Sequence, residues 1–154
     1  MDKPAFVSFE PKNEQFIGLL SIEAALGAER DLEDLLREAT NIYKRYITRM
    51  RSVLVEIQVV RANRKLIPAR KVWQIGDTIF QLRDELERQG LQLDGVYDHL
   101  TRDLGVKRKW LEKVIILRRY LSDKALIPKS LNWGRCEKGT RRVAQRLSKG
   151  LPLE

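Results

Sequence analysis

The longest regular pattern in the chain runs from Glu29 to about Asn63. There Leu32, Leu36, Ala39, Tyr43, Tyr46, Met50, Val53, Ile57 and Val60 recur in alternating steps of four and three. Such steps line apolar side chains along one side of a helix and predict one long helix packed against another. Glu29, Asp31, Glu33 and Asp34 crowd its first turns, and Arg61, Arg64 and Lys65 follow its end, the order the helix dipole favours. Pro68 breaks the run. Residues 69–89 repeat the pattern with Val72, Ile75, Ile79, Leu82 and Leu86 and stop at Gly90, so a second helix forms an antiparallel hairpin with the first. At about 1.5 Å per residue the two helices are about 50 Å and about 30 Å long. The second therefore covers the first only back to roughly Tyr43. The seam from Leu32 to Ile42 needs another cover, from elsewhere in the chain or from a second copy, because bare leucines forfeit about 1.5–3 kcal/mol each. A homodimer through the helix at 32–60 is the expectation drawn from this mismatch.

Residues 97–121, YDHLTRDLGVKRKWLEKVIILRRYL, carry a different pattern. Leu100, Leu104, Val106, Leu111 and Val114 are apolar where two short helices crossing over a tight turn bury side chains, and Gly105 stands where that turn needs a positive φ. A helix-turn-helix-like head is expected here, and an ordinary helical corner gives the same spacing. Residues 90–95 read as the loop leading into it. At the other end, Pro4 and Pro11 mark the first dozen residues as an extended arm, and 13–26 read as a short helix ended by Gly27. A last helix at about 137–148 places Val143, Ala144 and Leu147 on one face. The expected fold is all-α: an N-terminal arm and short helix at 1–28, a long helical hairpin at 29–90, and a helix-turn-helix-like head with a basic C-terminal helix at 91–150.

Charge alters this picture more than composition does. The chain of 154 residues is 43% hydrophobic and 33% charged, as in a folded, helix-rich domain, with net charge +9. Residues 1–40 hold four basic and nine acidic side chains, which leaves +14 on residues 41–154. Such an excess favours an anionic partner. No apolar run is long enough to span a membrane and no secretory leader opens the chain, so a cytoplasmic protein is expected, with no membrane partner. One cysteine, Cys136, and one histidine, His99, leave no cysteine zinc cluster and no usual nucleophile–base set, so no metal or cofactor is expected. Arg135 and Lys138 flank Cys136 and could lower its pKa, but with no histidine nearby in sequence no catalytic role is expected of it.

The candidate binding residues follow from this excess. Lys107, Arg108 and Lys109 open the second helix of the head, where they oppose the helix dipole unless an anion offsets them. Lysine and arginine donate to phosphate oxygens, and arginine also reads guanine. Arg102 and Lys113 flank this cluster, and Arg135, Arg141 and Arg142 belong to a basic tail with Lys138, Arg146 and Lys149. A solvated helix face explains that tail equally well. Lys44, Arg45, Arg49 and Arg51 are read as the solvent side of the long seam. Trp73, Trp110 and Trp133 are read as packing residues.

From about Lys71 to Arg146 the chain resembles the YhcG-type N-terminal domain, a helical module usually found ahead of a PD-(D/E)xK nuclease domain. Three islands carry the likeness: Trp73-Gln74-Ile75-Gly76 followed by Ile79, the stretch from Leu100 to Leu121 with its basic residues after Gly105, and Leu131-Asn132-Trp133-Gly134. The family's tryptophan element is usually followed by histidine; Arg135 stands there instead, and no role for that histidine is carried over. The resemblance implies a helical fold, a nucleic-acid partner and a nuclease domain or protein nearby. The chain contains no nuclease half and ends in Leu-Glu, as a cloning site would leave it, so a piece of a longer protein is expected.

The expected function is therefore binding of nucleic acid, double-stranded DNA above all, within a nuclease-associated or mobile-element system. The rival is a coiled-coil dimerisation or scaffold module with no nucleic-acid partner. An enzyme is not expected, since the metal-binding carboxylates of a nuclease need adjacent strands that this pattern does not supply.

Overall fold

The computed structural model describes residues 8–10, 15–17, 19–20, 32–92 and 96–153. The chain is all-α, with six α-helices among the described residues. These are α1 (Leu32–Ala62), α2 (Ala69–Arg88), α3 (Val96–Leu104), α4 (Arg108–Tyr120), α5 (Trp133–Glu137) and α6 (Thr140–Ser148). Four short strands accompany them: β1 (Ser8–Glu10), β2 (Gln15–Ile17), β3 (Leu19–Leu20) and β4 (Leu91–Gln92).

Two expectations are corrected by these strands. The segment 13–26 was expected to be helical, but Gln15–Ile17 pairs antiparallel with Ser8–Glu10, placing Phe9 opposite Phe16. The loop expected at 90–95 contains Leu91–Gln92, which pairs with Leu19–Leu20. The apolar residues of 13–26 are imperfectly periodic, so ladder hydrogen bonds to distant partners decided the backbone. The stretches 11–14 and 21–31, which include Gly27, lie outside the described residues.

The chain divides into two compact units, one of residues 1–48 and 80–105, the other of residues 49–79 and 106–154. The divisions fall inside α1 and α2 and after Gly105.

In the first unit, α1 buries Leu35, Ala39, Ile42, Tyr43, Tyr46 and Ile47, while α2 and α3 contribute Leu82, Leu86 and Leu100. Leu35, Ile42 and Ile47 widen the apolar face beyond a narrow heptad seam. A broad stripe of this kind suits a globular core better than a two-stranded coiled coil. Tyr43 hydrogen-bonds Asp103, tying α1 to α3. Of the stretch from Leu32 to Ile42, which needed a cover from this chain or a second copy, Leu35, Ala39 and Ile42 are buried within this chain. Tyr46 and Arg45 both reach the carboxylate of Glu85, and the Tyr46 hydroxyl first, then Arg45, hold Glu85 below the usual carboxylate range.

In the second unit, Lys71 Nζ near the start of α2 reaches Glu56 of α1 at 2.7 Å. The core combines Met50 and Ile57 of α1, Val72, Trp73, Ile75 and Ile79 of α2, and Leu111, Val114, Ile115 and Leu117 of α4. Gly76 lets α2 and α4 approach closely: a Cβ there would stand 2.9 Å from Arg118 Cβ and 3.0 Å from the Val114 carbonyl. Trp73 Nε1 donates to the Leu121 carbonyl at 2.7 Å, and Arg118 bonds Asp77 at 2.9 Å. The islands at 73–76 and 131–134 fall in this unit, while the one from Leu100 to Leu121 is divided between the two units after Gly105.

Candidate nucleic-acid interface

Gly105 ends α3 with φ of +65°, the positive value expected for the turn. No atom lies within 4 Å of where its Cβ would be, so the backbone angle alone selects glycine. α3 belongs to the first unit and α4 to the second. Each packs within its own unit.

α4 begins immediately after Lys107, whose extended backbone (φ −77°, ψ 145°) caps the helix without a side-chain hydrogen bond. Lys107, Arg108 and Lys109 are all exposed. Arg108 meets Glu112 one turn on, through a 3.4 Å contact in which both side chains are more than half exposed. Such a pair contributes little. Lys113, one turn further along, is half-buried. Beyond this first turn α4 is committed to the core, so only its N-terminal end and one narrow side remain open to a ligand.

The C-terminal segment is fixed against the same core. Ala69 N donates to the Leu131 carbonyl at 2.9 Å, and Trp133 N to the Ile67 carbonyl at 2.7 Å. Asn132 then caps α5 by accepting from Arg135 N at 2.9 Å. The rings of Trp110 and Trp133 meet edge to face at 6.2 Å. α6 packs on α4 through Ala144 and Leu147, and Gln145 Nε2 bonds Tyr120 Oη at 3.3 Å. All three tryptophans thus serve packing, as expected.

This packing leaves the cations of the tail outside. Arg135, Lys138, Arg141 and Arg142 are exposed and Arg146 is half-buried. Four of them, Arg135, Lys138, Arg142 and Arg146, line one cavity of about 330 Å³ together with Val143 and Leu153. Arg146 is held by a bond from its Nε to the Pro152 carbonyl at 2.8 Å. Arg141 is not among the lining residues. Sequence reading placed Lys138 and Arg146 in the tail but not in the site; their four-residue spacing with Arg142 was the signal that could have found them.

The expected site residues are therefore brought together unevenly. Lys107, Arg108, Lys109, Lys113, Arg135, Arg141 and Arg142 belong to the second unit. Arg102 belongs to the first, where its guanidinium bonds Asp103 and approaches His99 Nδ1, each at 3.1 Å. His99 is buried. Cys136 is buried as well, and its thiol is pushed up to about 11 by that burial, which outweighs the lowering by Arg135.

The partition of charge is sharper than the linear count suggested. The second unit holds 21 basic and 6 acidic residues, net +15. The first holds 9 basic and 15 acidic, net −6. No family model, curated protein or solved structure matches the chain. Among the described residues there is no cluster of three or more potential metal ligands and no helix long and apolar enough to cross a membrane.

Proposed function

We propose that the chain binds nucleic acid, double-stranded DNA in preference, as a non-enzymatic docking module of a nuclease-associated or mobile-element system akin to the YhcG-type proteins it resembles. The observation that carries this reading is the net +15 of one compact unit, with Lys107, Arg108 and Lys109 all exposed at the start of α4. A polyanion offsets both the like-charge repulsion and the adverse dipole arrangement, and counterion release supplies its affinity. Contacts from the first turn of α4 and from the tail would go mainly to phosphates, which position a duplex more than they read it.

The test is a salt titration of binding to a duplex oligonucleotide, followed by fluorescence anisotropy. The logarithm of affinity should fall linearly with the logarithm of salt concentration. The triple change Lys107→Ala, Arg108→Ala, Lys109→Ala should reduce that slope by about 2–3. Binding that ignores salt, or that is absent at low salt, refutes the proposal.

The scaffold reading keeps one observation in its favour: Val55 and Val59 of α1 are 56% and 54% exposed, and Leu66 beyond it is 75% exposed. Light scattering of the chain alone and with duplex separates the two readings. A dimer that forms without nucleic acid, and never binds it, supports the scaffold.

A further inference from the structure

The cavity between α5 and α6 carries an inference that rests on the nucleic-acid reading and narrows it. Lys138, Arg142 and Arg146 follow one another at four-residue spacing, so one side of α6 and its approach presents them together, and Arg135 reaches the same space from α5. Four cations facing one cavity repel one another, and none of the residues lining it is acidic. Its volume, about 330 Å³, lies at the small end of ligand pockets, which run from about 300 to 1,000 Å³. Val143 and Leu153 supply an apolar wall beside the charges.

An internal phosphodiester brings one negative charge and two free oxygens, and a strand running past spreads its charges along its path. A terminal phosphate monoester brings about −1.5 to −2 charges and three acceptor oxygens at one point. Convergence of four donors on a single small cavity matches the second arrangement, with the apolar wall beside the attached sugar. We propose that this cavity is a pocket for a phosphate monoester, the phosphorylated end of a nucleic-acid strand, distinct from the backbone contacts made at the start of α4. Arginine is suited to this task because its planar fork donates two parallel hydrogen bonds to phosphate oxygens.

The experiment compares two duplexes of identical sequence, one with 5′-phosphate and one with 5′-hydroxyl ends, titrated against the full chain at fixed ionic strength. The phosphorylated duplex should bind about tenfold tighter, the gain of one well-placed charge-assisted contact set. Lys138→Ala with Arg142→Ala should bring the ratio of the two affinities to one, whatever it does to affinity overall. Arg51→Ala with Arg61→Ala, which removes equal charge from α1 of the same unit, should preserve the ratio. Circular dichroism of each variant confirms the fold. Equal binding of both duplexes by the unaltered chain overturns the pocket and leaves the nucleic-acid reading standing; binding of neither overturns both. Competition by a nucleoside 5′-monophosphate, but not by the nucleoside, supports the pocket and shows that the monoester itself is recognised. Failure of the monophosphate to compete while the end preference persists assigns the preference to another part of the surface and overturns the pocket.

Discussion

Gly76 shows how much one absent side chain decides. Its hydrogen stands where a Cβ would meet the Val114 carbonyl at 3.0 Å, and a backbone oxygen in a helix cannot step aside. Gly76→Val should therefore destabilise the protein by about 1–3 kcal/mol through overpacking, read as a lower midpoint in urea. A midpoint equal to that of the unaltered chain would refute the close approach of α2 and α4. The sequence alone marked Gly76 only through its neighbours Trp73 and Ile75, since a glycine inside a helix gives no hint of what it faces. Gly105 was legible because a turn residue declares its own backbone need. Arg102 was not: its bonds to Asp103 and His99 lie within one helix, and composition does not distinguish a cation occupied by its neighbours from one that waits for a ligand.

At the scale of elements, punctuation and period sufficed for the long helices. Pro68, Gly90 and Gly105 bound α1, α2 and α3 close to where they were expected, and α1 ran from Leu32 to Ala62 against an expected 29–63. Short elements were illegible for a physical reason. α5 spans five residues, too few to show a period, and stands on the Asn132 cap and the bond from Trp133 to Ile67. The strand pair Ser8–Glu10 with Gln15–Ile17 likewise depends on pairing between segments. The turn joining α3 to α4 carries its own prediction. Gly105→Ala meets no steric obstacle, so its whole cost is the left-handed backbone angle, about 1–2 kcal/mol. Equilibrium denaturation should show that loss, and an unchanged stability would mean that the turn has relaxed to another conformation.

For the whole molecule, the sequence yielded the fold class and an excess of positive charge, but not its distribution. The linear count set −5 on residues 1–40; folding adds α3 and the end of α2 to that acidic part and gathers the cations of the second half of α1, of α4 and of the tail into one unit. Residues distant in sequence thus reinforce one another electrostatically, a property that no window along the chain displays. Self-repulsion within a unit of +15 weakens its folded state at low ionic strength. The melting temperature should rise as sodium chloride is added from a few millimolar to about 0.15 M, where the Debye length is about 8 Å, with roughly 2–4 °C for each kcal/mol relieved. Calorimetry across that range checks it, and a melting temperature that falls with salt would contradict a repulsive surface.

The same partition has a bearing on handling. A cation-exchange resin or a heparin column meets local charge and not the algebraic total, so the chain will be retained as a far more basic protein than its +9 suggests. Host polynucleotide will travel with it through purification for the same reason. Ultraviolet absorbance at 260 nm relative to 280 nm is then the first quantity to inspect, before any affinity is taken at face value, and a concentrated-salt wash is the step on which every later number depends.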